Sequence, residues 1–171
     1  VAEKQEVLRI LTGLTAWVAR NAETIQISLE ALGDFDFIMA RARYSLKLNA
    51  WEPVLAGEAV MDIRQARHPL LKGDVVPVDI RLGEDFDTLI MTGPNTGGKT
   101  VTLKTAGLMV LMAQSGLHIP AGEGSKLGIF KQVFADIGDE QSIEQSLSTF
   151  SSHMTNIVDI VNGAGRGSLI L

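Results

Sequence analysis

The sequence contains no cysteine among its 171 residues, which excludes disulfide bonds and thiolate-ligated metal sites. Its three histidines are dispersed and lack the spacing of zinc ligands. No run approaches the roughly 20 consecutive apolar residues that a membrane-spanning helix needs. The first residues also lack the basic and apolar segments of a signal peptide. We therefore expect a cytoplasmic protein without a membrane partner.

Excess positive charge is also missing, since the formal net charge is −5. A domain that binds nucleic acid tightly by itself usually has a basic face, so this chain alone is a poor candidate for tight DNA or RNA binding. Hydrophobic residues make up 46% of the sequence and charged residues 20%, as in ordinary globular proteins. The length suits one main domain with an appendage.

Residues 1–50 have the apolar spacing of helices. Apolar side chains recur every three or four residues from Val7 to Leu32, which predicts one long helix or two helices joined near Asn21. The Gly-Asp pair at residues 33–34 predicts a break and an N-cap for a further helix. We interpret this helical segment as a packing seam, in a core or a helix bundle, without a role in an active site.

A second domain is predicted at residues 51–171, where proline and glycine begin to separate shorter segments. Pro77 favours an edge position for its first strand, and the early strands could form an antiparallel flank. The alternation of strands and helices predicts an α/β fold. The patterns predict strands at 76–82, 88–92, 130–137 and 168–171, and helices at 100–115 and 148–161.

Residues 93–100 satisfy the Walker A spacing of a P-loop. Its glycines let successive backbone N–H groups face phosphate oxygens. Lys99 can reach the β- and γ-phosphates, and the Thr100 hydroxyl can bind Mg²⁺. A strand-like run before the loop and a helical period after it supply the context that such a loop needs. The predicted nucleotide-binding residues are Gly93, Pro94, Asn95, Thr96, Gly97, Gly98, Lys99 and Thr100.

Three segments resemble the MutS family, whose ATPases are of the ABC type. They are Gly-Pro-Asn-Thr-Gly-Gly-Lys-Thr at 93–100, Arg-His-Pro at 67–69 and Ser-Thr-Phe at 148–150. Residues 101–105 and 135–142 are more similar to the MutS type 2 branch than to the mismatch sensor.

The resemblance implies a P-loop NTPase sheet of the ABC/MutS type with flanking helices at residues 51–171. It also implies that residues 1–50 are the end of the α-helical lever that returns to the ATPase core. The expected ligands are ATP or ADP with Mg²⁺, bound in a head-to-tail homodimer of ATPase domains.

Individual residues acquire roles through this resemblance. Ser148 matches the signature serine that meets the γ-phosphate held by the other subunit; a plain N-cap is the alternative, and Ser146 could be that cap instead. Asn95 matches an asparagine near the γ-phosphate, with a turn residue as the alternative. Val76 matches a region near the adenine, where valine offers only apolar packing. His68 is better explained as a hydrogen-bonded loop residue.

Residues 169–171 have the character of a Walker B strand. In the family, an Asp that helps to hold Mg²⁺ and a Glu that activates water come next, so we expect these 171 residues to bind nucleotide but to hydrolyse it poorly. His153 is given no role, because Ile157 and Val161 on its helix look like core. Four upstream carboxylates are interpreted as a solvated loop that does not replace the missing acids: Asp136, Asp139, Glu140 and Glu144.

The leading hypothesis is the ATPase core of a MutS type 2 protein. ATP binding would close two subunits and hydrolysis would reopen them. For this branch, the resemblance implies suppression of recombination through DNA or release of stalled ribosomes, with a nuclease-like domain outside these residues. The alternatives are a mismatch-repair MutS sensor and a non-hydrolysing nucleotide-dependent dimerisation module. An ABC transporter motor is disfavoured, because Ser-Thr-Phe at 148–150 replaces the Leu-Ser-Gly-Gly-Gln signature.

Overall fold

The computed structural model describes residues 1–94, 97–137 and 146–171, without the side chains at 146–150 and 152. The chain divides into two compact units, Val1–Tyr44 and Ser45–Leu171. The assignment of residues 1–50 to a lever end and of residues 51–171 to an ATPase domain stays a prediction. Among the described residues, no helix has both the length and the apolar character required to cross a membrane.

Two helices form the first part of the chain, α1 at Ala2–Arg20 and α2 at Ala22–Leu48. They meet at Asn21, so of the two alternatives from sequence the pair of helices is confirmed and the single long helix is wrong. The predicted break at residues 33–34 is wrong, because α2 continues through both positions. A glycine inside a helix costs only about 1 kcal/mol relative to alanine. The hydrogen bonds of the neighbouring turns offset this cost, so the helix continues through the glycine.

The apolar seam along these helices is exposed within the chain. Neither α1 nor α2 contains a buried residue, and Leu14 and Trp17 are 54% and 64% exposed. Packing of this seam in a core is therefore not observed here, and its use in a helix bundle stays a prediction.

A four-stranded mixed sheet organises the second unit. Its order is β1-β4-β2-β3, with β1 and β4 parallel and the other neighbours antiparallel. The strand after Pro77 lies at the edge of this sheet, as predicted, and the early strands β2 and β3 pair antiparallel. Their position as a flank of a P-loop sheet stays a prediction. The strands are β1 at Val54–Ala56, β2 at Met61–Ala66, β3 at Val78–Leu82 and β4 at Lys126–Gly128.

The core of this unit comes from one face of the sheet and from helix α3, Lys99–Gln114, which contacts β4. Because side chains alternate across a strand, Met61 and Ile63 are buried while Asp62 pairs with Arg64 on the other face. The largest fully buried apolar side chains are Met61, Ile63, Met109, Val110, Ile119 and Leu127.

The last described elements of the chain form a βαβ unit. Strand β5, Gln132–Phe134, is followed by α4, Ser146–Gly163, and by β6, Ser168–Ile170, which pairs parallel to β5. A parallel pair needs such a crossover connection. The elements predicted at 130–137, 148–161 and 168–171 are thus confirmed with altered ends, as is the helix predicted at 100–115.

The prediction of a strand at 88–92 is wrong. These residues form no strand, and none of the described strands pairs with them. Leu89 and Ile90 are 42% and 80% exposed. An apolar run indicates a tendency to be buried, whereas a strand also requires a hydrogen-bonding neighbour. The described chain is therefore a mixed α/β fold, and a P-loop NTPase sheet around residues 93–100 stays a prediction.

The predicted core positions on α4 are also wrong. Val161 is 71% exposed and Ile157 is 39% exposed, whereas Ile160 is buried. Adjacent helical residues point about 100° apart, since a turn takes 3.6 residues. The buried face is therefore rotated by one position from the predicted one.

Candidate functional site

The glycine-rich loop runs directly into helix α3. Gly98 is the N-cap residue of this helix and has φ 74°, a left-handed conformation that glycine adopts without steric cost. The Gly97 amide donates to the Pro94 carbonyl oxygen at 2.9 Å, so the described part of the loop is tightly turned. Asn95 and Thr96 lie outside the described residues.

The Lys99 ammonium lies against the backbone of the same loop. Its Nζ donates to the carbonyl oxygen of Gly93 at 2.6 Å and to that of Pro94 at 2.8 Å. The side chain is thereby folded back from the first residue of α3 toward the start of the loop. This arrangement places a positive charge beside the backbone turn that the Walker A pattern assigns to phosphate.

The first turn of α3 has the properties of an anion site. No side chain caps it, and it contains no acidic residue. The early N–H groups of a helix lack intrahelical partners and carry the positive end of the helix dipole. The amide and the hydroxyl of Thr102 both donate to the Gly98 carbonyl oxygen, at 2.9 and 3.0 Å, which fixes the start of the helix to the loop.

Thr100 is the second residue of α3 and is exposed, so its hydroxyl is accessible to a metal ion. The described residues contain no group of three or more His, Asp or Glu side chains that could hold a metal. Mg²⁺ commonly binds through few protein ligands, several waters and substrate phosphates. Binding of a Mg²⁺-nucleotide by the loop, Lys99 and Thr100 stays a prediction.

Val76 lies on the rim of a cavity of about 630 Å³ in the second unit, within the rough size range of ligand sites, about 300–1,000 Å³. Val76 itself is 81% exposed. The walls come mainly from residues 67–77, with Pro120 and the end of α2. Proximity of Val76 to an adenine stays a prediction.

His68 lines the same cavity, and its Nδ1 accepts a hydrogen bond from the Leu70 amide at 3.3 Å. Partial burial, together with the positive charge of Lys104 on α3, lowers the pKa of His68 below its ordinary value. Both influences favour the neutral ring. His68 is therefore a hydrogen-bonded loop residue, as predicted.

Helix α4 begins at Ser146, and Ser148 is its third residue. The backbone of Ser148 thus lies in a first helical turn, where the resemblance requires the signature serine. Its side chain lies outside the description, so its role stays a prediction.

Asp136 is not simply a solvated carboxylate, contrary to the interpretation from sequence, because its side chain is hydrogen-bonded to α4. Its Oδ1 accepts hydrogen bonds from His153 Nδ1 at 2.8 Å and from Asn156 Nδ2 at 2.9 Å. The Asn156 amide and the His153 ring lower the pKa of this carboxyl group below its ordinary value. His153, which was given no role, is therefore one of its partners. The other carboxylates of that cluster, Asp139, Glu140 and Glu144, lie outside the described residues.

One sequence signal could have indicated this group. His153 and Asn156 are three positions apart, the spacing that places two side chains on one face of a helix. Their partner is distant along the chain, however, and no local pattern links Asp136 to them.

Comparisons with known proteins identify the family of the chain. Residues 89–171 match the family profile of MutS domain V. The chain is 76% identical over 170 residues to the Endonuclease MutS2 of Pelotomaculum thermopropionicum. The aligned region covers 99% of this chain. The chain belongs to the MutS family, in its MutS2 branch.

Other MutS2 proteins show the same relationship. Identity is 59% over 172 residues with Endonuclease MutS2 of Bacillus cytotoxicus and 56% over 169 residues with that of Symbiobacterium thermophilum. These matches cover 100% and 99% of this chain. The chain spans only about a fifth of the length of these curated relatives, 21–22%.

Proposed function

We propose that residues 93–100 bind ATP or ADP together with Mg²⁺, as the nucleotide site of a MutS2 ATPase core. The observation that carries this proposal is the position of Lys99, whose Nζ is held by the loop carbonyls of Gly93 and Pro94 at the uncapped start of α3. Phosphate groups are commonly bound where three features meet: a lysine, a left-handed glycine turn and helical N–H groups without intrahelical partners.

Each loop residue then has a physical role. The backbone N–H groups around Gly97 and Gly98 would face the phosphate oxygens. Lys99 would exchange its carbonyl partners for the β- and γ-phosphates, to which its charge is better matched. Thr100 would bind Mg²⁺, which supplies charge neutralisation at the phosphates when bound. Asn95 would orient water or the γ-phosphate, as the resemblance implies, and Val76 would pack near the base.

In the complete protein, we propose that this site couples ATP binding and hydrolysis to the association of two ATPase domains. Ser148 would meet the γ-phosphate held by the other subunit, because the start of α4 offers a hydroxyl and backbone N–H groups to an anion. The curated relatives are each named an endonuclease, which supports an enzyme that acts on nucleic acid, and the MutS resemblance implies DNA. Release of stalled ribosomes is the other action implied by the branch.

We propose hydrolysis as a property of the complete protein, for which the MutS resemblance implies a Mg²⁺-binding Asp and a water-activating Glu. Nucleotide binding is the property to measure first.

The test is a titration of the 171-residue chain with fluorescent ADP and ATP in Mg²⁺. Lys99→Ala should weaken binding by about 100-fold, the equivalent of losing roughly 3 kcal/mol of charge-assisted hydrogen bonding. Lys131→Ala is the matched control, since it removes an exposed lysine elsewhere in the unit. Binding that is indifferent to Lys99 would contradict the proposed site.

A further inference from the structure

Asp136 is fixed to the ends of both strands of the parallel pair. Its amide donates to the Leu171 carbonyl oxygen at 2.8 Å, and the Leu171 amide donates to the Phe134 carbonyl oxygen at 2.9 Å. These bonds continue the β5–β6 ladder beyond the strand ends. The Asp136 side chain therefore projects from a backbone that has little freedom to move.

This side chain holds α4. Its Oδ1 accepts from His153 Nδ1 at 2.8 Å and from Asn156 Nδ2 at 2.9 Å, and the Asn156 amide also lies 3.3 Å from the Ala135 carbonyl oxygen. The Asp136 and His153 side chains are only 21% and 29% exposed. Hydrogen bonds to an ionised acceptor are stronger than neutral ones, and partial burial shields them from competing water. We call Asp136, His153 and Asn156 the α4 clamp.

The α4 clamp lies close to the start of the helix. Ser148 precedes His153 by about a turn and a half, or roughly 7.5 Å along the helix axis. A helix is stiff over that length, so the residues that anchor positions 153 and 156 also fix the direction in which the first turn points. A loss of the anchor would leave the first turn free to shift relative to β5 and β6.

We propose that Asp136 is a positioning residue for Ser148: through His153 and Asn156 it aligns the start of α4 for contact with the nucleotide of a second copy of the chain. This inference rests on the proposed function, because it requires Ser148 to act across subunits. It adds that the alignment is set within one subunit, by the carboxylate at the end of β5, before any partner is bound. The lowered pKa of Asp136 keeps this carboxylate ionised at neutral pH, which strengthens the hydrogen bonds of the α4 clamp.

The experiment separates nucleotide binding from association. Nucleotide affinity is measured by fluorescence titration, ATP-dependent self-association by sedimentation velocity, and local order of α4 by amide hydrogen exchange. The variants are Asp136→Ala, Asp136→Asn, Ser148→Ala and Asp159→Asn. Asp136→Asn retains an acceptor oxygen, and Asp159→Asn is the matched control, since it removes an exposed carboxylate from the same helix.

Asp136→Ala should leave the nucleotide Kd within about twofold, weaken ATP-dependent association by about tenfold and speed amide exchange in the first half of α4. Ser148→Ala should weaken association similarly without changing exchange. Asp136→Asn should restore most of the association, a rescue that a general loss of folding would not show. Asp159→Asn should match wild type in all three measurements.

The outcomes distinguish the inference from the proposed function. If wild type binds nucleotide and associates with ATP, and Asp136→Ala does both equally well, the inference alone is overturned. If wild type binds nucleotide without associating, Ser148 does not act across subunits. The inference is then overturned together with the proposed association of two ATPase domains, while the proposed nucleotide site stands. If Asp136→Ala does not fold, His153→Leu replaces it, since this variant removes one donor and keeps the carboxylate. It should show the same weakened association and faster amide exchange, and wild-type values for both would overturn the inference.

Discussion

The side-chain amide of Gln114 forms two hydrogen bonds with the backbone of Phe130, as a neighbouring strand would do. Its Oε1 accepts from the Phe130 amide at 3.0 Å, and its Nε2 donates to the Phe130 carbonyl oxygen at 3.0 Å. Phe130 is only 5% exposed, so its backbone groups have little access to water. Both depend on one side chain at the last position of α3.

Gln114→Leu should therefore be strongly destabilising. Leucine fills a similar volume but offers no hydrogen bond, which leaves a buried N–H and a buried C=O unpaired. Each such group costs about 1–3 kcal/mol, so we expect the free energy of unfolding to fall by roughly 2–6 kcal/mol. Urea denaturation followed by circular dichroism measures this change.

Gln114→Glu is the matched comparison. Its carboxylate can still accept from the Phe130 amide, but it has no donor for the Phe130 carbonyl oxygen, so the loss should be smaller than that of Gln114→Leu. If Gln114→Leu unfolds at the same urea concentration as wild type, the two hydrogen bonds contribute nothing to stability.

Gly128→Ala should also destabilise the second unit. A Cβ built at Gly128 would overlap the carbonyl oxygen of Glu58 and would lie 2.5 Å from the Val60 amide nitrogen. The backbone must separate there, although the Gly128 amide donates to the Val60 carbonyl oxygen at 2.7 Å. We expect a loss of about 3 kcal/mol, at the upper end of overpacking costs, measured as a lower thermal midpoint.

Gly57→Ala is the control for this substitution. A Cβ at Gly57 would meet nothing within 4 Å, so alanine should be neutral or slightly stabilising through its effect on the unfolded chain. Equal thermal midpoints for the two variants would show that the close approach at Gly128 relaxes without cost.

Local patterns predicted much of this fold, because they report local physics. Asn21 ends α1 as predicted, and Pro77 precedes an edge strand, since a residue without an N–H cannot serve a central ladder. Helix α3 follows the glycine loop as the Walker A context requires. In each case, the signal depends on residues within a few positions of one another.

The errors arose where the outcome depends on distant partners. Residues 88–92 are apolar enough for a strand but have no described neighbour to pair with. Asp136 looked like one carboxylate of a solvated loop, and only the crossover of α4 brings His153 and Asn156 to it. Hydrophobic periodicity contains no information on such pairings, which are set by topology.

Thr100→Ala should remove the Mg²⁺ dependence of nucleotide binding. The proposed role of its hydroxyl is to bind the metal, while the loop backbone and Lys99 hold the phosphates. We expect the affinity for ATP in Mg²⁺ to fall by about tenfold toward the value measured in EDTA, and the affinity in EDTA to remain unchanged. Fluorescence titrations in both buffers measure the difference.

Thr100→Ser keeps the hydroxyl and should retain the Mg²⁺ dependence. An alanine variant that still responds fully to Mg²⁺ would show that the metal is held without Thr100.

His68 should make stability depend on pH in the mildly acidic range. Burial and the nearby charge of Lys104 lower its pKa in the folded state, so the unfolded chain binds a proton more readily than the folded chain does. Its contribution is therefore fully present above about pH 6.5, the ordinary value, and is lost as the pH falls from there through the lower folded pKa. Urea denaturation at several pH values should show a falling free energy of unfolding.

His68→Gln should flatten this curve, since glutamine does not titrate, while His118 and His153 remain in both proteins. Lys104→Ala provides a finer test. It removes one of the two causes of the shift, so the folded pKa of His68 should rise toward its ordinary value and the pH dependence should shrink without disappearing. If the wild-type and His68→Gln curves run parallel between pH 7.5 and 5.5, about one unit either side of the ordinary histidine pKa, His68 titrates alike in the folded and unfolded chains. Its ring would then not be shielded in the cavity that it lines.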